Sequence, residues 1–246
     1  MNHPENVRLL YSFGIMTQES EAGMKHLTIK EIELPYYTRG EEYLNTITHG
    51  TGVALAAGVF VYGLVVAGRG HKSLAVSSFC IYGLSMILLY TVSTVYHGLP
   101  AGDAKKVLRV MDHCTIYLLI AGSYTPILLT AVRPEHPVLA WIVFAAEWGL
   151  GLFAAFFTGL DMKKYSRLSM ICYIVMGWFV IIALKPTIAA VSWNGFAWLL
   201  AGGICYTVGA LLYKMGKRKR YVHAVFHVFV VLASILQAVC ILKYVL

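Results

Sequence analysis

The sequence predicts an all-α, polytopic membrane protein with seven transmembrane helices, its N-terminus in the cytosol and its C-terminus outside. Of the 246 residues, 59% are hydrophobic and 13% are charged, which is about half the charged fraction of an ordinary soluble domain. The apolar residues form long blocks, and an α-helix needs roughly 20 of them to cross about 30 Å of hydrocarbon. A transmembrane β-barrel would need alternating apolar and polar residues, and these blocks do not alternate.

The first 40 residues differ from the rest of the chain. Residues 1–40 mix acidic and basic side chains and lack the long apolar core of a cleavable signal peptide. They are predicted to form a cytosolic N-terminal tail that is partly disordered. Residues 41–246 are predicted to form a single seven-helix transmembrane domain.

Short connections separate the apolar blocks and set the ends of the predicted helices. Glycines follow the first block, glycine and proline follow the second, and two prolines follow the third. The fifth block is interrupted by Lys185 and Pro186, so its end is the least sharply defined. The seven spans are predicted at 43–68, 72–98, 107–131, 138–159, 167–190, 196–215 and 221–243.

Basic residues in the loops give these spans a direction, because Lys and Arg accumulate on the cytosolic side of a membrane. The loops after spans 2, 4 and 6 hold eleven basic residues, whereas the loops after spans 1, 3 and 5 hold four. The predicted orientation is opposite to that of G-protein-coupled receptors and argues against that class. The eleven are Lys105, Lys106, Arg109, Lys163, Lys164, Arg167, Lys214, Lys217, Arg218, Lys219 and Arg220. The four are Arg69, Lys72, Arg133 and Lys185.

Ionisable residues inside the spans are candidates for function, because placing them in hydrocarbon is costly. His223 and His227 open span 7, and Ser93 and His97 close span 2. Each pair is spaced i, i+4 and therefore lies on one helix face, so both imidazoles of span 7 can reach one metal ion. Taken alone, an HxxxH pattern at a membrane surface more often reflects helix packing or contact with lipid headgroups than a metal site.

The predicted orientation places these groups at one depth in the membrane. Span 2 runs inward, so His97 lies at its cytosolic end. Spans 1, 3 and 7 begin at that side, and His49, Asp112 and His223 lie near their starts. The motifs and the charge count are independent observations, and both indicate one polar layer near the inner membrane surface.

The layer has the composition of a catalytic zinc site, in which three protein ligands leave one position open. The three imidazoles are those of His97, His223 and His227. Asp112 is predicted to hold the metal's water or to act as a general base, and Ser93 to hydrogen-bond the water or a developing oxyanion. Asp112 could instead pair with Arg109, one turn earlier.

Residues beside this predicted site have supporting roles. Glu42, Asn45 and His49 lie at i, i+3 and i+7 on one stripe of span 1, where they are predicted to support the metal ligands. The first two could instead serve only to cap the helix. His113 follows Asp112 but points about 100° away on the helix, so it is left out of the site.

These motifs together resemble the hemolysin III family of bacterial membrane proteins, within the progestin and adipoQ receptor superfamily. The matching patterns are ExxNxxxH, SxxxH with a following Asp, and HxxxH, and they extend over roughly residues 40–246. The resemblance implies a multi-pass protein of the bacterial plasma membrane that holds Zn²⁺ through the three histidines. It also implies kinship with membrane ceramidases and other lipid hydrolases, while the hemolysin name implies cytolysis or pore formation.

Three functions follow from these observations. The first is zinc-dependent hydrolysis of a lipid amide or ester, with membrane lipids as partners and a lipid as substrate. The second is a cytolysin or channel, although the outer half of the spans is almost wholly apolar apart from Glu147. The third is a sensor with a structural zinc, which His49 or Asp112 would have to close as fourth ligand. Nucleic acid is not predicted as a partner despite the net charge of +8, because the basic residues lie in loops that set topology.

Overall fold

A computed structural model describes residues 29–70, 73–216 and 219–246. All regular secondary structure in these residues is helical, and it includes seven α-helices. The helices are α1 Arg39–Arg69, α2 Ser73–Gly98, α3 Asp103–Pro126, α4 Pro137–Leu160, α5 Ser166–Gly177, α6 Leu184–Gly216 and α7 Val222–Cys240. Short π-helices, Ile127–Val132 and Ile241–Val245, extend α3 and α7. Most of the predicted tail, together with Lys72, Lys217 and Arg218 of the charge count, lies outside the described residues.

Six of these helical segments are long and apolar enough to cross a membrane, and the segment Ser166–Ile181 is apolar but shorter. The prediction of an all-α, multi-pass integral membrane protein is therefore confirmed. The observed ends of the first four helices agree with the predicted spans to within a few residues. Pro126 closes the α-helical part of α3, since it has no N–H to donate, and the chain continues as the π-helix that follows.

The fifth predicted span, 167–190, is a broken helix in the structure. Its first part is α5, and a 3₁₀ turn at Phe179–Ile181 separates α5 from the start of α6. Pro186 lies in the first turn of α6, where its missing N–H costs nothing. Ser192 has φ 64° and ψ 168°, a backbone conformation that L-residues rarely adopt, and there the helix bends. The bend divides α6 into residues 184–191, which overlap the end of the predicted fifth span, and residues 193–216, which cover the predicted sixth.

The helices form a closed ring in chain order. Each packs on the next one along the chain, and α7 packs on α1 to close the ring. A capping box between Thr38 and Glu41 starts α1. The other carboxylate oxygen of Glu41 accepts a hydrogen bond from the backbone N–H of Tyr221 at 2.9 Å. The beginnings of α1 and α7 and the end of α2 therefore meet at one end of the bundle, which we call the histidine end.

The α1–α2 contact depends on glycines that accept aromatic rings from the opposite helix. A Cβ added at Gly63 of α1 would overlap the buried ring of Phe79 on α2. We expect Gly63→Val to lower the free energy of unfolding by about 1–3 kcal/mol or more, because overpacking forces the helices apart. Thermal unfolding in detergent measures this effect. Gly58→Val, on the same helix with nothing within 4 Å of its Cβ position, is the control, and equal midpoints for the two variants would contradict the prediction.

Candidate metal centre

Three histidines from two helices converge at the histidine end. His97 lies at the end of α2, while His223 and His227 lie one turn apart at the start of α7. One ring nitrogen of each lies within 4.8 Å of the other two. All three side chains are buried, so the group is an internal cluster between helices and not a surface patch.

Helix α1 holds the outer nitrogens of two of these rings. The Nδ1 atom of His97 lies 2.6 Å from the Glu42 carboxylate and 3.3 Å from the Asn45 side-chain amide. The Nδ1 atom of His227 lies 3.3 Å from the backbone oxygen of Asn45 and 3.3 Å from the Thr48 hydroxyl. The Glu42 carboxylate and the Asn45 backbone oxygen can only accept a hydrogen bond, so Nδ1–H donates to them and Nε2 carries the free lone pair in each ring. A carboxylate behind a metal-binding histidine is a common supporting arrangement.

Two ring nitrogens of the cluster lack partners among the residues that the structure describes. The Nε2 atoms of His97 and His223 are buried without a hydrogen bond, a costly state for a polar atom. A metal ion bound to these nitrogens would remove that cost. Three neutral imidazoles are typical ligands of zinc, so the donor set fits the ion that the sequence predicted.

His49 lies against this cluster without joining it. Its ring stacks on that of His227, with the centroids 3.6 Å apart and the planes 9° from parallel. The two parallel rings are stacked face to face, and His49 is not among the histidines whose ring nitrogens lie within 4.8 Å of one another. His49 therefore cannot bind the same ion in this arrangement, and both of its ring nitrogens are buried without a partner within the described part of the chain.

The two predicted catalytic residues lie on the wall of a cavity beside the histidines. Ser93, Asp112, His49 and His227 all line this cavity, whose volume is about 110 Å³. The Ser93 hydroxyl is buried and has no partner among the described residues, so it is free to bond to a ligand. Arg109, the alternative partner of Asp112, instead donates to the carbonyl oxygen of Glu33.

The cavity runs from the histidines toward the middle of the bundle. Gln237 also lines it, and this residue is ten positions beyond His227 on α7, or about 15 Å along the helix axis. Between them the walls are mainly apolar and aromatic, as at Leu119, Ile120 and Val230. The shape and lining suit a hydrocarbon chain whose polar end lies at the histidines.

A second, larger cavity of about 580 Å³ lies at the histidine end. It shares Tyr173, Tyr213 and His113 with the first cavity. The two ring nitrogens of His113 lie 2.9 Å from the Arg109 backbone oxygen and 2.9 Å from the Tyr213 hydroxyl. His113 is thus engaged at both nitrogens and forms part of the wall between the cavities, outside the group of three histidines.

Two residues beside the cluster were not assigned to the site from the sequence. Lys105, which was counted only as a loop charge, is 5% exposed and donates to Glu42 at 2.7 Å. Tyr37, from the predicted tail, stacks on His223 with ring centroids 5.1 Å apart, and burial raises the pKa of its hydroxyl. No local motif marks either residue, because both reach the site through the packing of separate segments.

Sequence comparison relates this chain to a known protein family and to individual proteins. The model of the family described as "Haemolysin-III related" matches residues 37–238. "Hemolysin-3" of Bacillus cereus is 38% identical over 206 residues, which cover 84% of this chain and 92% of the relative. "Hemolysin-3 homolog" of Bacillus subtilis (strain 168) is 39% identical over 208 residues, covering 85% and 96%. The human "Monocyte to macrophage differentiation factor" is 29% identical over 175 residues, covering 67% and 68%. No solved structure matches.

Proposed function

The chain belongs to the haemolysin-III-related family, and on that premise we propose that it is a membrane-embedded, zinc-dependent hydrolase of a lipid amide or ester. The observation that carries the proposal is the convergence of three buried histidines, two of which, His97 and His223, have a buried Nε2 atom without a hydrogen bond in the described part of the chain. The wall of the adjacent cavity carries the Asp112 carboxylate and the Ser93 hydroxyl, which has no partner among the described residues. Metal ligands, a base and a hydrogen-bond donor around one apolar cavity are the components that acyl transfer to water requires.

In this proposal His97, His223 and His227 hold the zinc. When bound, zinc polarises the scissile carbonyl and makes water a better nucleophile. Asp112 accepts a proton from the attacking water and returns it to the departing amine or alcohol. Ser93 donates a hydrogen bond to the oxygen that gains negative charge.

In this proposal the two cavities hold the two parts of such a substrate, its acyl chain and its headgroup. The acyl chain would lie in the first cavity, along the apolar walls that lead toward Gln237. The headgroup would face the larger cavity beyond His113 and Tyr213. The scissile bond would then lie between them, beside the histidines. The predicted orientation would place this end of the bundle at the cytosolic surface of the membrane.

The position of His49 favours an open, catalytic site over a closed, structural one. A structural zinc has four protein ligands, whereas a catalytic zinc keeps one position for water or substrate. His49 is one of two candidates for a fourth ligand, and its stacking on His227 argues against that role. Asp112 is the other, and in this proposal it acts on water.

Membrane lysis is the second candidate function, and the names of two relatives, both called hemolysins, favour it. A water-filled pore within one chain would need polar walls through the depth of the bilayer. The internal cavity is instead mainly apolar beyond its histidine end. Lysis by this protein would therefore depend on assembly of several copies or on the products of lipid hydrolysis.

Zinc analysis and lipid hydrolysis, measured on the same preparation, test the proposed function. Purified protein in detergent is expected to hold about one zinc per chain by elemental analysis. It should release fatty acid from an N-acyl or O-acyl lipid. This release should stop after the zinc is chelated and should recover when zinc is added back. Protein without zinc, or hydrolysis unchanged by chelation, would refute the proposal. Dye release from liposomes that persists after chelation would favour lysis instead.

A further inference from the structure

We propose that Lys105 is a positioning residue, which holds Glu42 against His97 and so sets the affinity of the site for its metal. The inference rests on the proposed zinc site. It assigns to a lysine near the start of α3 a role beyond setting the orientation of the chain. The supporting observations are the burial of Lys105, the partners of its ammonium group and the division of the Glu42 carboxylate between two neighbours.

Lys105 is unusually buried for a lysine. Its relative exposure is 5%, and lysines are rarely buried to this degree unless they are paired. The ammonium group donates to Glu42 at 2.7 Å and to the backbone oxygen of Leu99 at 2.8 Å. A longer contact of 3.4 Å reaches the backbone oxygen of His97. The three donors of the ammonium are thus all directed at the segment that carries His97 and at the carboxylate behind it.

The two oxygens of the Glu42 carboxylate contact two different partners. Its Oε1 atom accepts from Lys105, and its Oε2 atom lies 2.6 Å from Nδ1 of His97. Both contacts are of the charge-assisted type, which is stronger than a neutral hydrogen bond. With Oε1 fixed by the lysine, the plane of the carboxylate is set, and Oε2 is held toward the imidazole. The His97 ring is then held with Nε2 facing the other two histidines.

Without Lys105, the Glu42 side chain would be free to turn toward solvent. It is 22% exposed, so water can replace the lysine and the carboxylate can rotate away from His97. The ring would lose the partner that fixes its tautomer and orientation. Loss of such a supporting contact typically lowers metal affinity by about 10–100-fold.

A purely structural role of Lys105 makes a different prediction. The lysine also bonds to backbone oxygens between α2 and α3, so its loss could destabilise this connection without affecting the metal. Such destabilisation would be independent of Glu42. A double-mutant cycle separates the two roles, because residues that act through one another have non-additive effects.

The experiment compares zinc affinity in Lys105→Met, Glu42→Gln and the double variant, by competition with a chromogenic chelator on purified protein. We expect Lys105→Met to weaken zinc binding by about 10-fold and Glu42→Gln by about 10–100-fold. The double variant should bind zinc about as well as Glu42→Gln alone. Lys106→Met is the matched control, because the neighbouring Lys106 pairs with Asp103 at 3.5 Å near the surface and should leave the affinity unchanged.

Lys105→Gln is a second variant, which keeps the test usable if Lys105→Met does not fold. Glutamine can still donate to the Leu99 backbone oxygen but brings no charge to Glu42, so zinc binding should weaken in this variant too. Wild-type affinity in a folded Lys105 variant, or additive losses in the double variant, would overturn the positioning role. So would failure of both Lys105 variants to fold, since the lysine would then serve the fold itself. Absence of zinc from the wild type would instead refute the proposed function.

Discussion

Replacing His227 with alanine is expected to remove stoichiometric zinc from the purified protein. In the proposed site His227 is one of three ligands, and the stacked His49 ring is not placed to replace it, because it lies outside the group of converging histidines. We expect a loss of affinity beyond about 100-fold, the upper end for loss of a supporting residue, since this change removes a metal–nitrogen bond itself. Lipid hydrolysis should be lost together with the metal. Elemental analysis after gel filtration measures the first effect, and fatty-acid release measures the second.

Two other histidines serve as controls for this result. His136 is exposed in the short connection before α4, and His136→Ala should keep both zinc and activity. His49→Ala should keep stoichiometric zinc, because in the proposed site His49 packs against the ligand His227 and is not itself a ligand. Zinc that survived in His227→Ala would contradict the assigned ligand set. Zinc lost from His49→Ala, with the fold intact by circular dichroism, would instead indicate a closed site with a fourth histidine.

The fold could largely be predicted from the sequence because a single physical requirement governs it. Lipid offers no partners for backbone groups, so each long apolar block had to form a helix, and the first four blocks did so close to their predicted ends. The fifth block is the exception, because it does not form one continuous helix. Its interruption at Trp178 and the bend at Ser192 depend on packing against neighbouring helices. Local composition pointed only to Lys185 and Pro186, which lie just within the start of α6.

The core of the candidate site was also predictable, because its residues lie on helices at regular spacing. The i, i+4 pairs placed His223 with His227 and Ser93 with His97, and the helix directions brought both pairs to one end. The structure places Glu42 and Asn45 behind these rings. Thr38 and Glu41 form the helix cap, a role that the sequence left open for Glu42 and Asn45.

The remaining contacts depend on how separate segments meet, which no spacing rule describes. Lys105 reaches Glu42 across 63 positions of the chain, and the stacking of His49 on His227 joins the first helix to the last. Tyr37 reaches His223 from a segment that the composition assigned to a cytosolic tail. Of these contacts, the stacking of His49 bears most on the proposed chemistry, because it favours an open metal site over a closed one.

Asp112→Asn is expected to abolish most hydrolysis while leaving the zinc in place. Asp112 lines the cavity beside His227 but is not in the group of three histidines, so metal binding should not depend on it. Asparagine has nearly the same shape as aspartate but cannot accept a proton at neutral pH. Loss of a general base costs about 10²–10⁴-fold in rate, and the loss should appear in kcat more than in KM because the acyl chain binds elsewhere in the cavity. Initial rates and zinc content, measured on one preparation, test both parts.

The zinc content of this variant also separates the hydrolase from the sensor. Asp103→Asn is the matched control, because Asp103 opens the same helix with its side chain 69% exposed and should leave rate and zinc unchanged. If Asp112→Asn lost zinc together with activity, Asp112 would be a fourth ligand, and the site would be closed and structural. If it kept full activity, the base would have to be another group. Retained zinc with a large fall in kcat is the result expected only of an open site whose carboxylate acts on water.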